Sequence, residues 1–241
     1  MIKTVLFYLD GTLLSMDNEV FIKYYFKLLL KKMLPYGYDP KELVENIIKA
    51  TYTVVANDGS MTNRDRFFMS FNKLMEGKLH TTSDELEKTF EDFYNNEFDE
   101  AKCVIDKNDD IRKVIDMLRE NNIDIIIATA PVFPYVAVNK RLSWIGEDIT
   151  NFKYVSTYEN STYCKPDIKY YEEIIEKNHL DKNGMLMVGN DLNDDIRPCE
   201  ALGIDTFFID KYAVNDDKDY QKNRGSFNDL YKYIQNKIYN M

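Results

Sequence analysis

The sequence predicts an α/β fold: a mostly parallel sheet with helices on both faces, interrupted just after its first strand by an all-helical insertion. Three observations carry this prediction. The chain opens on a β-branched, apolar run, Lys3–Leu9, of the kind that forms a buried strand. From Asp17 to about Phe98 only helical periodicity is present. Beyond Glu100, short apolar runs alternate with amphipathic segments, the signature of a parallel sheet with crossover helices.

The first run ends at Asp10-Gly11-Thr12, where glycine permits a sharp departure from strand geometry. Four helices follow, near Asn18–Met33, Pro40–Ala56, Asn63–Met75 and Ser83–Phe98. Pro35-Tyr36-Gly37, Asn57-Asp58-Gly59 and Gly77 separate them. Pro40 suits a first helical turn, and Thr82 with Glu85 fits a capping box. The many Phe and Tyr residues at helical spacing fit the core of a small bundle. Next, Ile111, Val114, Ile115 and Leu118 recur at helical spacing behind Asn108, a natural N-cap. Strands are expected at Asp124–Thr129, Tyr154–Thr157, Met185–Gly189 and Asp205–Ile209. Helices are expected at Tyr135–Ser143, Ile168–Lys177, Asp195–Leu202 and Phe227–Ile238, with Ala213–Gly225 a polar loop. The implied division is a core of residues 1–15 and 101–241 around a helical unit of residues 16–100.

Composition narrows the function classes. A chain of 241 residues with 44% hydrophobic and 30% charged residues is ordinary for a soluble domain with a substantial core. No apolar run approaches the roughly 18 residues of a membrane span, and the N-terminus lacks the layout of a signal peptide, so cytoplasmic residence and no membrane partner are expected. Cys103, Cys164 and Cys199 are an odd number without metal-ligand spacing, which argues against zinc and a disulfide framework. His80 and His179 are the only histidines and read as surface residues. The net charge of −10 argues against nucleic acid as a partner, since phosphate backbones are held by clusters of Lys and Arg. No GxGxxG follows any strand, which disfavours a dinucleotide-dependent oxidoreductase.

In open α/β sheets, ligands bind at the carboxyl ends of the strands. Four such places hold residues with chemistry: Tyr8–Thr12 in VLFYLDGTLL, Thr129 in IDIIIATA, Lys165 in YCKPD, and Asn190–Asp195 in MLMVGNDLNDDI. Each is weak alone, because turn aspartates and solvent-facing lysines are common. Their order and shared position at strand ends make them informative together.

On these four motifs the chain resembles the haloacid dehalogenase superfamily, whose pattern is hhhDxDGT, a hydroxyl at a strand end, a lysine, and GDxxxD or GDxxxxD. The resemblance covers residues 1–14 and about 105–210, and the helical stretch between them resembles that family's C1-type cap. It implies a Rossmann-like parallel sheet core and phosphoryl transfer through an aspartyl phosphate. An ionised carboxylate attacks phosphorus, a second aspartate protonates the leaving group, and Mg²⁺ screens the charge. Carried over, Asp10 is the acid/base and its carbonyl a magnesium ligand. Gly11, Thr129, Ala130 and Lys165 are the substrate-binding positions, Thr129 and Lys165 also supporting catalysis. Asp10, Asn190, Asp191 and Asp195 are the metal-holding set. Between Asn190 and Asp191 the choice stays open, with Asp191 favoured because a hard cation prefers an anionic oxygen.

Tyr8 occupies the place of the nucleophile. Sliding Asp10 into that place would lose the Gly11-Thr12 match, so the register stands. A phenol of ordinary pKa about 10 is neutral at pH 7, attacks poorly and supplies no anionic ligand. The expected function is therefore a Mg²⁺-dependent phosphohydrolase acting on a small phosphorylated metabolite, inactive or weakly active with Tyr8 in place. The alternative is a non-catalytic pseudoenzyme that binds or regulates on the same fold. A monomer or small homo-oligomer is expected. Asn57-Asp58-Gly59 with Arg64 and Arg66 is the candidate specificity loop of the cap.

Overall fold

The computed structural model describes residues 1–78 and 81–239, so His80 lies outside the described residues. Six parallel strands form one sheet in the order β3-β2-β1-β4-β5-β6. They are β1 (Thr4–Phe7), β2 (Asp124–Ile127), β3 (Tyr154–Val155), β4 (Met185–Gly189), β5 (Asp205–Ile209) and β6 (Arg224–Gly225). β1 is central because every one of its residues is buried and apolar or β-branched, so it can be covered on both faces. Alternation along the strands divides the core. Val5, Phe7, Ile125, Ile127, Leu186 and Val188 pack on one face, and Leu6, Ile126, Met185 and Met187 on the other.

Four helices follow β1: α1 (Asn18–Met33), α2 (Pro40–Val55), α3 (Asn63–Leu74) and α4 (Ser83–Asn95). Their starts are set by side-chain caps from Asp17, Asp39 and Thr62, and by the capping box of Thr82 and Glu85. The periodic aromatic residues are core: Phe21, Tyr25, Phe93 and Phe98 are buried, and Phe98 packs 5.1 Å from Trp144 of the sheet-bearing part. Then come α5 (Asp109–Glu120), α6 (Tyr135–Trp144), α7 (Ile168–Lys177), α8 (Arg197–Ala201) and α9 (Phe227–Tyr239). Asn108 caps α5 through the amide of Asp110 at 3.1 Å.

Two elements differ from expectation. The segment from Ala213 to Gly225, expected as a loop, ends in the edge strand β6, whose two residues are too short to show a period. The helix expected from Asp195 begins instead as a π-helical turn over Leu192–Ile196 and becomes α-helical only at Arg197. Asp191 caps that turn by accepting from the amides of Asn193 and Asp194. Among the described residues no helix is long and apolar enough to cross a membrane.

The register brings Phe7 level with Ile127 and Val188. Residues just beyond these three positions therefore emerge together from one end of the sheet. The chain runs from β1 outward through β2 and β3, then crosses to the other side of β1 as β4, which puts a topological switch point beside Tyr8.

Candidate active site

Tyr8 continues the β1 ladder by donating its backbone N–H to the Val188 carbonyl at 2.9 Å. Its ring lies beneath Lys165, whose Nζ is 4.1 Å from the ring centroid. Burial pushes the phenol well above its ordinary range, and the neighbouring carboxylates of Asp10 and Asp195 push it further, against the opposing pull of Arg141. The hydroxyl is neutral at any physiological pH.

Asp10 is buried, and both its carboxylate oxygens accept from Nη1 of Arg141 at 2.7 Å. Arg141 itself is fully buried, with its guanidinium 4.4 Å over the Phe133 ring. Gly11 turns the chain at φ +75°, and a Cβ there would sit 2.4 Å from Nδ2 of Asn190. Thr12 donates its hydroxyl to Oδ1 of Asn190 at 2.7 Å, while Nδ2 of Asn190 donates to the Tyr212 carbonyl at 2.7 Å. Asn190 thus faces the β1 turn, and Asp191 faces away, accepting from Nδ2 of Asn215 at 2.9 Å and 3.1 Å as well as from its own turn.

Lys165 and Asp195 form a second buried pair, Nζ to Oδ1 at 2.5 Å, with side chains 1% and 0% exposed. The other oxygen of Asp195 accepts the backbone N–H groups of Asn190 at 3.1 Å and Asp191 at 3.0 Å. Burial raises the Asp195 carboxyl, opposed by Lys165 and the backbone N–H of Asp191. Tyr170 donates its hydroxyl to the Thr129 carbonyl at 2.7 Å, and Tyr171 donates to the Asp194 carbonyl at 2.6 Å, which fixes both strand ends from α7. Burial, reinforced by Asp191, lifts the Asp194 carboxyl to about 6.

Among the described residues, three buried donors have no protein partner: Oγ of Ser15, Oγ1 of Thr129 and Nη2 of Arg141, of which Thr129 closes β2 and Arg141 meets Asp10. Unpartnered buried donors are uncommon and mark places where a ligand acceptor can be received. Ala130, next to Thr129, is only partly buried.

The donor set expected for magnesium does not assemble. The Asp10 position is expected to contribute its main-chain carbonyl, on which the Arg141 clamp of its carboxylate has no bearing, but Asp195 is engaged by Lys165 and two amides, and Asp191 by its cap and Asn215. The amide of Asn190 is spanned between Thr12 and Tyr212. Among the described residues, no three acidic, His or Cys side chains converge as a metal site. A hard cation needs several free oxygens, so these residues do not fit Mg²⁺ as they stand.

The candidate specificity loop packs onto the sheet-bearing part. Asn63, wholly buried, donates Nδ2 to the carbonyls of Tyr163 at 3.0 Å and Pro131 at 3.2 Å, and its amide reaches the Ser161 carbonyl at 2.8 Å. Gly59 lies so close to Tyr163 that a Cβ would meet its ring at 2.3 Å. Arg66 is spent inside the loop on Asn57, Asp58 and Ser60, and Arg64 pairs with Glu87. Sequence reasoning missed Arg141, Asn63, Tyr212 and Asn215. Only Arg141 carried a signal, because it shares the buried face of α6 with Ala137, Val138 and Leu142.

The parallel sheet carries Asp10 beyond β1, the Thr129 hydroxyl beyond β2, Lys165 after β3 and Asp195 after β4, a doubly wound α/β arrangement with its polar groups past the carboxyl ends of the strands. The haloacid dehalogenase-like hydrolase family profile matches residues 2–221, and the chain belongs to that family. No curated protein matches the sequence. Solved structures that it resembles include a haloacid dehalogenase (HAD) phosphatase from Thermococcus onnurineus, 19% identical over 97% of this chain and 98% of that one, with a TM-score of 0.61. A 2-haloacid dehalogenase from Pseudomonas syringae pv. tomato DC3000 is 17% identical over 98% and 99%, with a TM-score of 0.62. A HAD-hydrolase from Bacillus subtilis bound to magnesium is 19% identical over 97% and 98%, with a TM-score of 0.57. At such identities the likeness is one of fold.

Proposed function

We propose that this chain is a phosphatase-type member of its family in which hydrolysis through an aspartyl phosphate is silenced at Tyr8, while the strand-end site still receives the phosphoryl group of a small metabolite. The observation that carries the reading is the Tyr8 ring beneath Lys165, where the resemblance expects an anionic nucleophile. A neutral phenol under an ammonium ion can hold that charge but cannot supply the attacking oxyanion. The clamp of Arg141 on Asp10 supports the same reading, since both carboxylate oxygens are already engaged by a buried guanidinium and are not free to meet a leaving group. Magnesium affinity is proposed to be lost with the carboxylates that would have held it. The unpartnered donors on Thr129 and Arg141 support retained affinity for an oxyanion.

A paired assay tests this. Hydrolysis of an aryl phosphate with and without Mg²⁺ is measured for the natural chain, Tyr8→Asp, and Tyr8→Asp with Asn190→Asp. The natural chain is expected at background, with turnover appearing in the double variant. Turnover by the natural chain that Tyr8→Phe abolishes would make Tyr8 a nucleophile and sink the reading. The rival, a pseudoenzyme that binds or regulates without any oxyanion site, is separated by calorimetry with inorganic phosphate. Binding that weakens in Thr129→Val supports the silenced phosphatase, and no binding supports the rival.

A further inference from the structure

A cavity of about 370 Å³ lies between α1, α2, α3, α4 and the loop that follows β2. Its walls include Tyr25, Ile47, Phe67, Phe90, Tyr94 and Phe133. None of Tyr8, Asp10, Thr129, Lys165 or Asn190 lines it. Phe133 separates the two places: one side meets the Arg141 guanidinium at 4.4 Å, and Tyr25 approaches the same ring at 5.6 Å. The polar groups of the walls are mostly spent. Tyr25 and Tyr94 bond to each other through their hydroxyls at 3.0 Å, and Thr51 donates to its own helix at the Ile47 carbonyl at 2.9 Å. What remains is an aromatic and aliphatic box of the size that small-molecule sites have.

At one end the box shares Phe68, Phe90, Tyr94, Pro134 and Tyr158 with a second cavity of about 480 Å³. That neighbour is polar, lined by Arg64 and Lys88 against Asp84, Glu87, Glu91 and Glu159. Arg64 is engaged by Glu87, and Glu159 accepts the Tyr135 amide at 2.9 Å, so the charge left over is acidic on balance. Ile48 and Val55 of α2, both in the wall of the box, are each 38% exposed. They are seven residues apart on one helical face and open the box to solvent.

We infer that this box is a binding site for a small aromatic amphiphile with a neutral or cationic polar end, an arylalkylamine in chemical class, whose ring lies among the Phe and Tyr side chains and whose amine reaches the acidic neighbour. The volume admits a molecule of this size and not a protein helix, and the sign of the second cavity disfavours a carboxylate. The site is independent of the proposed oxyanion site at the strand ends.

The test uses the full chain with three matched probes, 4-phenylbutylamine, 4-phenylbutanol and 4-phenylbutyrate, followed by calorimetry and by thermal shift. The amine is expected to bind tightest, about tenfold better than the acid, and binding should be unaffected by inorganic phosphate. Ile48→Trp, which fills the mouth, should weaken the amine about tenfold or more while leaving the unfolding temperature at or above that of the natural chain. If Ile48→Trp fails to fold, Val55→Trp serves the same purpose. Binding that survives the filled mouth, or failure of all three probes to bind, overturns the site. An acid that binds as well as the amine overturns the assignment of ligand class.

Discussion

Arg141 and Asp10 meet through a single nitrogen: Nη1 lies 2.7 Å from both carboxylate oxygens, with the two side chains 0% and 8% exposed. An ion pair taken this far out of water gains little net stability, but removing one partner strands the other charge. Arg141→Met is expected to destabilise the chain by about 3–5 kcal/mol in denaturant unfolding. Adding Asp10→Asn should recover much of that loss, because the uncompensated carboxylate is gone. Additive losses in the double variant would mean that Arg141 acts through packing on Phe133 and not through its charge.

Tyr8 should behave as a ring and not as a hydroxyl. Burial and the nearby carboxylates keep its hydroxyl neutral, and its face holds Lys165 at 4.1 Å. Tyr8→Phe is expected to change stability by less than about 1 kcal/mol, since the cation–π contact survives. Tyr8→Ala should cost about 2–4 kcal/mol through lost packing and an ammonium left without its ring. Chemical denaturation of the two variants decides this, and equal losses would assign the hydroxyl an unseen structural role.

These two pairs also show what the sequence could reveal. The strand ends were legible because β1 and β4 are continuous apolar runs that stop at Asp10-Gly11 and Gly189-Asn190, and the period of a strand needs only local residues. Helix starts were legible for the same reason, through Pro40, Asn108 and the Thr82–Glu85 box. Pairings across the chain were not. Arg141 is 131 positions from Asp10; its place on the apolar face of α6 marks it as buried, but nothing local names the carboxylate it neutralises. The choice between Asn190 and Asp191 was likewise undecidable locally. It depends on Tyr212 and Asn215, which sit in a polar segment without periodicity.

Gly11 and Gly77 form a matched comparison. Both have left-handed backbones, φ +75° and +73°, so alanine at either position meets the same conformational penalty of about 1 kcal/mol. Around Gly77 a Cβ would meet nothing within 4 Å, whereas at Gly11 it would drive into Nδ2 of Asn190. Gly77→Ala should therefore cost about 1 kcal/mol. Gly11→Ala should cost about 1–3 kcal/mol more, because relieving the clash breaks the bonds of Asn190 to Thr12 and Tyr212. Thermal unfolding of the pair provides the measurement, and equal losses would mean that the β1 turn moves away from β4 without resistance.

Asp194 supplies a stability change with a defined sign in pH. Its carboxyl is raised to about 6, first by burial and then by Asp191, with Lys165 pulling the other way and Asp195 adding to the rise. In the unfolded chain the group ionises near its ordinary value of about 3.9. Below that value both states are protonated and nothing is lost. Between about 4 and 6 the unfolded chain releases a proton that the folded chain keeps, so the contribution of Asp194 falls as pH rises and is fully lost above about 6. The side chain keeps contact with solvent, which reduces the effect to about 1–2 kcal/mol. Asp194→Asn removes the ionisation while retaining the shape. The variant should match the natural chain at pH 4 and exceed it by about 1 kcal/mol at pH 7 in urea unfolding. A gain of the same size at both pH values would trace the stabilisation to the amide's hydrogen bonds, and a loss at pH 7 would show that the ionised Asp194 is held by a cation.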